Sequence, residues 1–214
     1  MIRAALAKAT GKAIALLARL ITAVRGVWEG VEPRPRQRIY FANHCSHGDF
    51  VLIWTVLPAT LRRSTRPVAG ADYWLGTAVR RFVIRDVFRA VLIERDPDKR
   101  TEDPVEQMVR ALNQGASLIV FPEGTRKTVD TPLLPFKTGL FHLANARPEI
   151  DLVPVWIENL NRVMPKGEIL PVPIVCTVTF GAPLRLHPEE ARDAFLARAS
   201  KALLETAAMT GHAA

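Results

Sequence analysis

Apolar residues recur every three or four positions through residues 2–28, IRAALAKATGKAIALLARLITAVRGVW. Ile2, Leu6, Ala9, Ala13, Leu16, Leu17, Leu20, Val24 and Val27 fall on one arc when the segment is wound as a helix, so the spacing predicts a single long amphipathic helix. On that helix Lys8, Lys12 and Arg19 border the arc on one side, and Arg3 and Arg25 border it on the other. Two fates fit such a pattern. The helix docks on the protein's own core with a solvated rim, or it lies in a lipid interface with cationic heads reaching for phosphates over buried stems. The basic flanks favour the second.

Pro33 and Pro35 in EPRPRQR then force an extended linker. Beyond it, short apolar runs alternate with helical patterns. RIYFAN, RPVAG, AVLIER, ASLIVFP, DLVPVW and IVCTVTF read as strands, and WLGTAVRRFVIRDVF and FKTGLFHLANA read as helices. DPVEQMVRALNQG is the clearest helix, with Asp103 as N-cap, Pro104 in the first turn, Glu106 in the capping-box position and Gly115 to stop it. A last helix is predicted from near Pro188. This alternation predicts an α/β fold with a mixed, largely parallel central sheet flanked by helices. The expected organisation is an amphipathic membrane-surface helix over residues 1–30 and an α/β domain over residues 37–210.

The composition narrows the class. The chain has 214 residues, 49% hydrophobic and 23% charged, which is globular and long enough for one sizeable core. A net charge of +8, half of it within the first thirty residues, predicts an anionic partner. The arginines form no recognisable nucleic-acid reader and no basic face interleaved with stacking aromatics, so nucleic acid is not expected. Only Cys45 and Cys176 are present, in no zinc-type spacing, which suits a reducing compartment. No apolar run reaches the length of a membrane span.

Two polar motifs interrupt the apolar pattern. NHCSHGD, residues 43–49, follows a predicted strand and precedes a strongly apolar run. If the chain turns into a helix there, the five-residue spacing folds the Asp49 carboxylate back toward the His44 imidazole. A carboxylate on one ring nitrogen fixes the tautomer and leaves the other nitrogen free to take a proton, two-thirds of a serine-hydrolase relay without the serine. Three other readings stay open. These are a crowded zinc site from His44, Cys45, His47 and Asp49, a Cys45 nucleophile, and a histidine bonded to a backbone carbonyl near a helix start. FPEGTRK, residues 121–127, ends another predicted strand, at the sheet edge where α/β proteins bind ligands. Gly124, Thr125 and Arg126 have the composition of an anion site, and Glu123 either orients Arg126 or accepts from a substrate hydroxyl. A plain strand-to-loop turn is the alternative. The motifs of nucleotide binding and of the nucleophile elbow are absent.

Together the two blocks resemble the signatures of the glycerolipid acyltransferases, a family that includes the 1-acylglycerol-3-phosphate acyltransferases. NHCSHGD resembles their N-H-x-x-x-x-D block and FPEGTR their E-G-T-R block. VLIER at 91–95, VPVW at 153–156 and PFKTGLFHLA fall in the expected order, so the resemblance covers about residues 38–160. It implies that His44 is the general base, that Asp49 steers it, and that Arg95, Glu123, Gly124, Thr125 and Arg126 bind the acceptor. The implied donor is acyl-CoA or an acyl carrier protein, with no metal and no further cofactor. The implied acceptor is a lysophospholipid, most simply 1-acylglycerol 3-phosphate, which would become phosphatidate. Glycerol 3-phosphate or a lyso-aminolipid as acceptor, and a lipid binder without catalysis, are the alternatives. Such an enzyme would sit peripherally on the cytoplasmic face of an anionic membrane.

The chain also departs from the pattern. Arg89 and Leu92 stand where the family usually has a glycine and an aromatic, and Arg89 extends a four-spaced stripe with Arg81 and Arg85. Lys137 is a further candidate for the phosphate. Trp54, Leu57 and Trp74 are either core or an acyl channel, and His142 reads as a packing residue on an apolar helix.

Overall fold

The computed structural model describes residues 2–46, 48–125, 131–158 and 175–210. Seven strands lie side by side: β1 (Arg25–Trp28), β2 (Arg38–Ala42), β3 (Thr65–Gly70), β4 (Val91–Ile93), β5 (Ser117–Val120), β6 (Asp151–Glu158) and β7 (Thr177–Phe180). Their order across the sheet is β1-β7-β6-β2-β5-β3-β4. Every neighbouring pair is parallel except β6–β7. The predicted mixed, largely parallel sheet flanked by helices is therefore the observed one.

Burial follows from the two-residue period of the strands. On β2, buried on both faces as the central strand of a parallel sheet must be, Tyr40 and Ala42 enter one core and Ile39 and Phe41 the other. The first core is closed by α2 (Asp49–Val56), α3 (Ala59–Ser64) and a π turn at Val83–Val87. The second is closed by α6 (Pro104–Asn113), α7 (Gly139–Ala146) and the C-terminal helix α8 (Arg192–Thr210), whose Phe195, Ala199 and Leu203 are fully buried. Asp103 caps α6 by accepting from Val105 N, as its sequence position predicts. The predicted helix at 74–88 is instead broken into α4 (Ala71–Trp74), α5 (Ala78–Phe82) and the π turn. Arg89, at φ 52°, leaves the arginine stripe and donates to the Arg63 carbonyl.

The N-terminal segment corrects the sequence reading at its end. The helix α1 runs only from Ile2 to Thr22, because Ala23 takes a left-handed φ of 43°. The chain then becomes β1, an edge strand paired with β7, so residues 25–28 belong to the sheet and not to a helical extension. The structure also shows which side of α1 faces the protein. It docks on α2 and the π turn through the small residues Ala7, Gly11 and Ala15. The arc of large apolar residues points away, with Ile2 at 87%, Leu16 at 60% and Leu20 at 73% exposure, and Leu6 and Leu17 more than half exposed.

Candidate active site

Strand register brings the two motifs together. Phe41 on β2 lies opposite Val120 on β5, so positions three residues further on, His44 and Glu123, emerge side by side at the carboxyl edge. The chain switches direction here: after β5 it crosses to the far side of β2 to form β6. Such a switch point opens a crevice above the sheet.

The loop carrying His44 is pinned from both sides. Asn43 donates to the Ile157 carbonyl (3.0 Å) and accepts from Ile157 N (2.8 Å), tying the loop to β6. Glu123, only 2% exposed, accepts from His44 N with one oxygen and from Leu134 N with the other, each at 2.8 Å. The chain then enters α2 at Asp49, whose carboxylate turns back over the loop. Its Oδ2 accepts from Cys45 N (2.7 Å) and Ser46 N (2.9 Å) and lies 2.8 Å from His44 Nδ1. An oxygen already accepting two N–H bonds is best completed by a third donor, so Nδ1 carries the ring proton. Nε2 then has a free lone pair, and it meets no protein partner among the described residues. Phe121 stacks on the imidazole at 4.2 Å and fixes its plane. This arrangement leaves Nε2 able to accept a proton, and His44 bonds a carboxylate, not a backbone carbonyl. Among the described residues no three His, Cys, Asp or Glu side chains converge as metal ligands.

His44 opens onto a cavity of about 470 Å³. One part of its wall is apolar, with Phe50, Trp74, Val105, Met108, Leu140 and Leu143. The other carries Arg95, Arg100, Lys137 and His142, with Glu94 and Asp103. Arg95 stands two residues past the end of β4 and lies against Gly70 at the end of β3. A Cβ on Gly70 would come within 2.5 Å of Arg95 Nε. Gly124, at φ 69°, needs the left-handed backbone that glycine adopts without cost.

Several expectations change in this light. Glu123 is buried, stands off the described cavity wall, and accepts a backbone N–H bond with each oxygen, which is a loop-holding arrangement. Thr125 is exposed and also off the wall. Arg126 and His47 lie outside the described residues. Trp54 packs near Gly11 of α1 and Leu57 is in the core, so of the three channel candidates only Trp74 reaches the cavity. His142 is exposed on the cavity wall, not packed inside. The sequence reading missed the roles of Asn43, Gly70, Arg100 and Phe121. His142 had a usable signal, since it lies one helical turn beyond Thr138, the residue before α7.

Known proteins share the fold and part of the sequence. The family described as Acyltransferase matches residues 27–158, well over half of the chain. This chain belongs to that family. It is 27% identical over 159 residues to a 1-acyl-sn-glycerol-3-phosphate acyltransferase of Cocos nucifera, covering 73% of this chain and 49% of the relative. An enzyme of the same name from Limnanthes douglasii is 29% identical over 163 residues, covering 73% and 53%. Another from Escherichia coli (strain K12) is 30% identical over 138 residues, covering 58% and 51%. The chain thus spans about half the length of the curated relatives it matches. In fold it is similar to the crystal structure of the 1-acyl-sn-glycerophosphate (LPA) acyltransferase PlsC from Thermotoga maritima. The TM-score is 0.71 at 21% identity, covering 97% of this chain and 81% of that one.

Proposed function

We infer that the chain transfers a fatty acyl group from an acyl thioester, acyl-CoA or an acyl carrier protein, to the free hydroxyl of 1-acylglycerol 3-phosphate. The observation that carries this reading is the His44–Asp49 pair opening on a cavity that is apolar on one side and cationic on the other. The names of the relatives support the same acceptor. In the proposed reaction His44 Nε2 takes the hydroxyl proton as the oxygen attacks the thioester carbon. The tetrahedral adduct collapses, the C–S bond breaks, and the imidazolium returns its proton to the leaving thiolate. Asp49 steadies the imidazolium charge meanwhile.

Thiol release by the purified chain, measured across acyl donors and acceptors, tests this directly. 1-Acylglycerol 3-phosphate should be the preferred acceptor. A monoacylglycerol, lacking the phosphate, forfeits a charge-assisted contact and should fall about 10–100-fold in kcat/KM. Equal use of the two acceptors would remove the phosphate from the recognition scheme.

The exposed arc of α1 supports a peripheral seat on an anionic membrane surface, the cytoplasmic face being the anionic one. Lys8 and Lys12 flank that arc. No described helix is long and apolar enough to cross a membrane. Changing Leu16, Leu17 and Leu20 together to Gln withdraws about 1 kcal/mol each of interfacial burial. Affinity for vesicles containing phosphatidylglycerol should then drop about a hundredfold. Unchanged co-sedimentation with such vesicles would place the membrane contact elsewhere.

A further inference from the structure

Lys137 is the cation of the cavity whose position a glycine dictates most plainly. A Cβ on Gly124 would lie 2.7 Å from both Cδ and Cε of Lys137 and 3.1 Å from Nζ. The side chain therefore runs flat across the peptide after Glu123, through space that any other residue would fill. Two hydrogen bonds hold this crossing in place: Lys137 N donates to the Pro122 carbonyl (2.8 Å), and the Glu123 carboxylate accepts from Leu134 N three residues upstream. Lys137 lines the cavity that His44 also lines, and it forms no ion pair among the described residues. Across the cavity, Arg95 lies over Gly70 in the same manner. Two cations from different parts of the chain thus face one space, each lying over a glycine.

We propose that Lys137 is a binding residue for the acceptor's phosphate monoester, and that Gly124 lacks a side chain in order to seat it. The proposal rests on the acyltransferase reading above. A phosphate monoester occurs on the acceptor and on coenzyme A alike, and geometry selects the acceptor. Its phosphate is only a few bonds from the hydroxyl that must meet His44, whereas the phosphates of coenzyme A lie a pantetheine arm away from the thioester. A cation sharing a small cavity with the base therefore meets the acceptor. An ammonium suits this task as a point charge that follows the phosphate oxygens, while Arg95 supplies the planar fork.

The test uses the full chain with Lys137→Met, which keeps the aliphatic stem over Gly124 and removes the charge, and Lys137→Arg, which keeps the charge. Calorimetric binding of glycerol 3-phosphate is measured beside steady-state turnover. In K137M the Kd for glycerol 3-phosphate and the KM for lysophosphatidate should each rise about tenfold or more, one charge-assisted contact. The kcat and the KM for acyl-CoA should stay within about threefold. K137R should recover part of the loss. Unchanged glycerol 3-phosphate binding in K137M would overturn the proposal, as would a rise confined to the KM for acyl-CoA. Failure of the wild-type chain to transfer acyl groups while K137M still loses glycerol 3-phosphate would instead overturn the acyltransferase reading and leave the phosphate seat standing.

Discussion

His44→Ala is expected to cut kcat by about 10²–10⁴-fold, the usual share of a positioned general base, with little change in either KM. The protein should remain folded. Without the ring, Asp49 Oδ2 still accepts from Cys45 N and Ser46 N, and Asn43 and Glu123 still hold the loop by its backbone. The net loss is about one buried hydrogen bond and the stack on Phe121, about 1–2 kcal/mol, or a few degrees in Tm. Circular dichroism and thermal melting check the fold, and thiol release checks the rate. Turnover near wild type in a folded H44A protein would show that the acceptor hydroxyl is activated by something else.

Glu123→Gln is the second large effect, and it separates two roles that look alike in sequence. A ligand of the phosphate site would gain from losing its negative charge, so neutralisation should then tighten acceptor binding. The structure assigns Glu123 the opposite task. Both oxygens accept from backbone N–H groups, and an amide has only one oxygen. In E123Q either His44 N or Leu134 N must face an NH₂ group inside the protein. An unsatisfied or repelled buried donor costs about 1–3 kcal/mol, and the lost carboxylate charge adds to that. Destabilisation of about 2–4 kcal/mol in urea unfolding is expected. The catalytic loop should loosen with it, and kcat should fall by about tenfold or more while the remaining acceptor binding is little improved. Wild-type stability together with tighter acceptor binding would return Glu123 to the substrate site.

The local parts of this site are legible in the sequence. Each motif directly follows an apolar run, and a five-residue spacing across a strand-to-helix turn suffices to bring Asp49 under His44. What joins the motifs is not local. β2 and β5 are neighbours although β3 and β4 form between them in the chain, and only the three-dimensional register puts the Glu123 carboxylate against the His44 N–H. Glutamate in a glycine-arginine motif therefore reads as a ligand, and its two bonds to backbone N–H groups are not legible there. The same limit hid Asn43, whose partner Ile157 lies more than a hundred residues away.

α1 illustrates a different limit. Periodicity finds an apolar arc but does not say whether that arc faces protein or lipid, because Ala7, Gly11 and Ala15 on the other side carry almost no hydropathic signal. β1 was invisible for a related reason. Val24 and Val27 happen to continue the helical spacing, and the left-handed turn falls on Ala23, with no glycine or asparagine to mark it. Hydropathy likewise groups Leu57 and Trp54 with Trp74, and only the fold shows which of them lines the cavity.

The join between α1 and β1 is short and doubly fastened. Cys176 N donates to the Thr22 carbonyl at 2.9 Å, and Arg25 N donates back to the Cys176 carbonyl at 3.1 Å, with Ala23 and Val24 the sole residues between. A lever this stiff transmits tilt. On the bilayer seat proposed above, any angle taken up by the first helix would pass to the sheet, and the cavity beside His44 would keep one heading toward the headgroups, fixed by the scaffold before any substrate arrives.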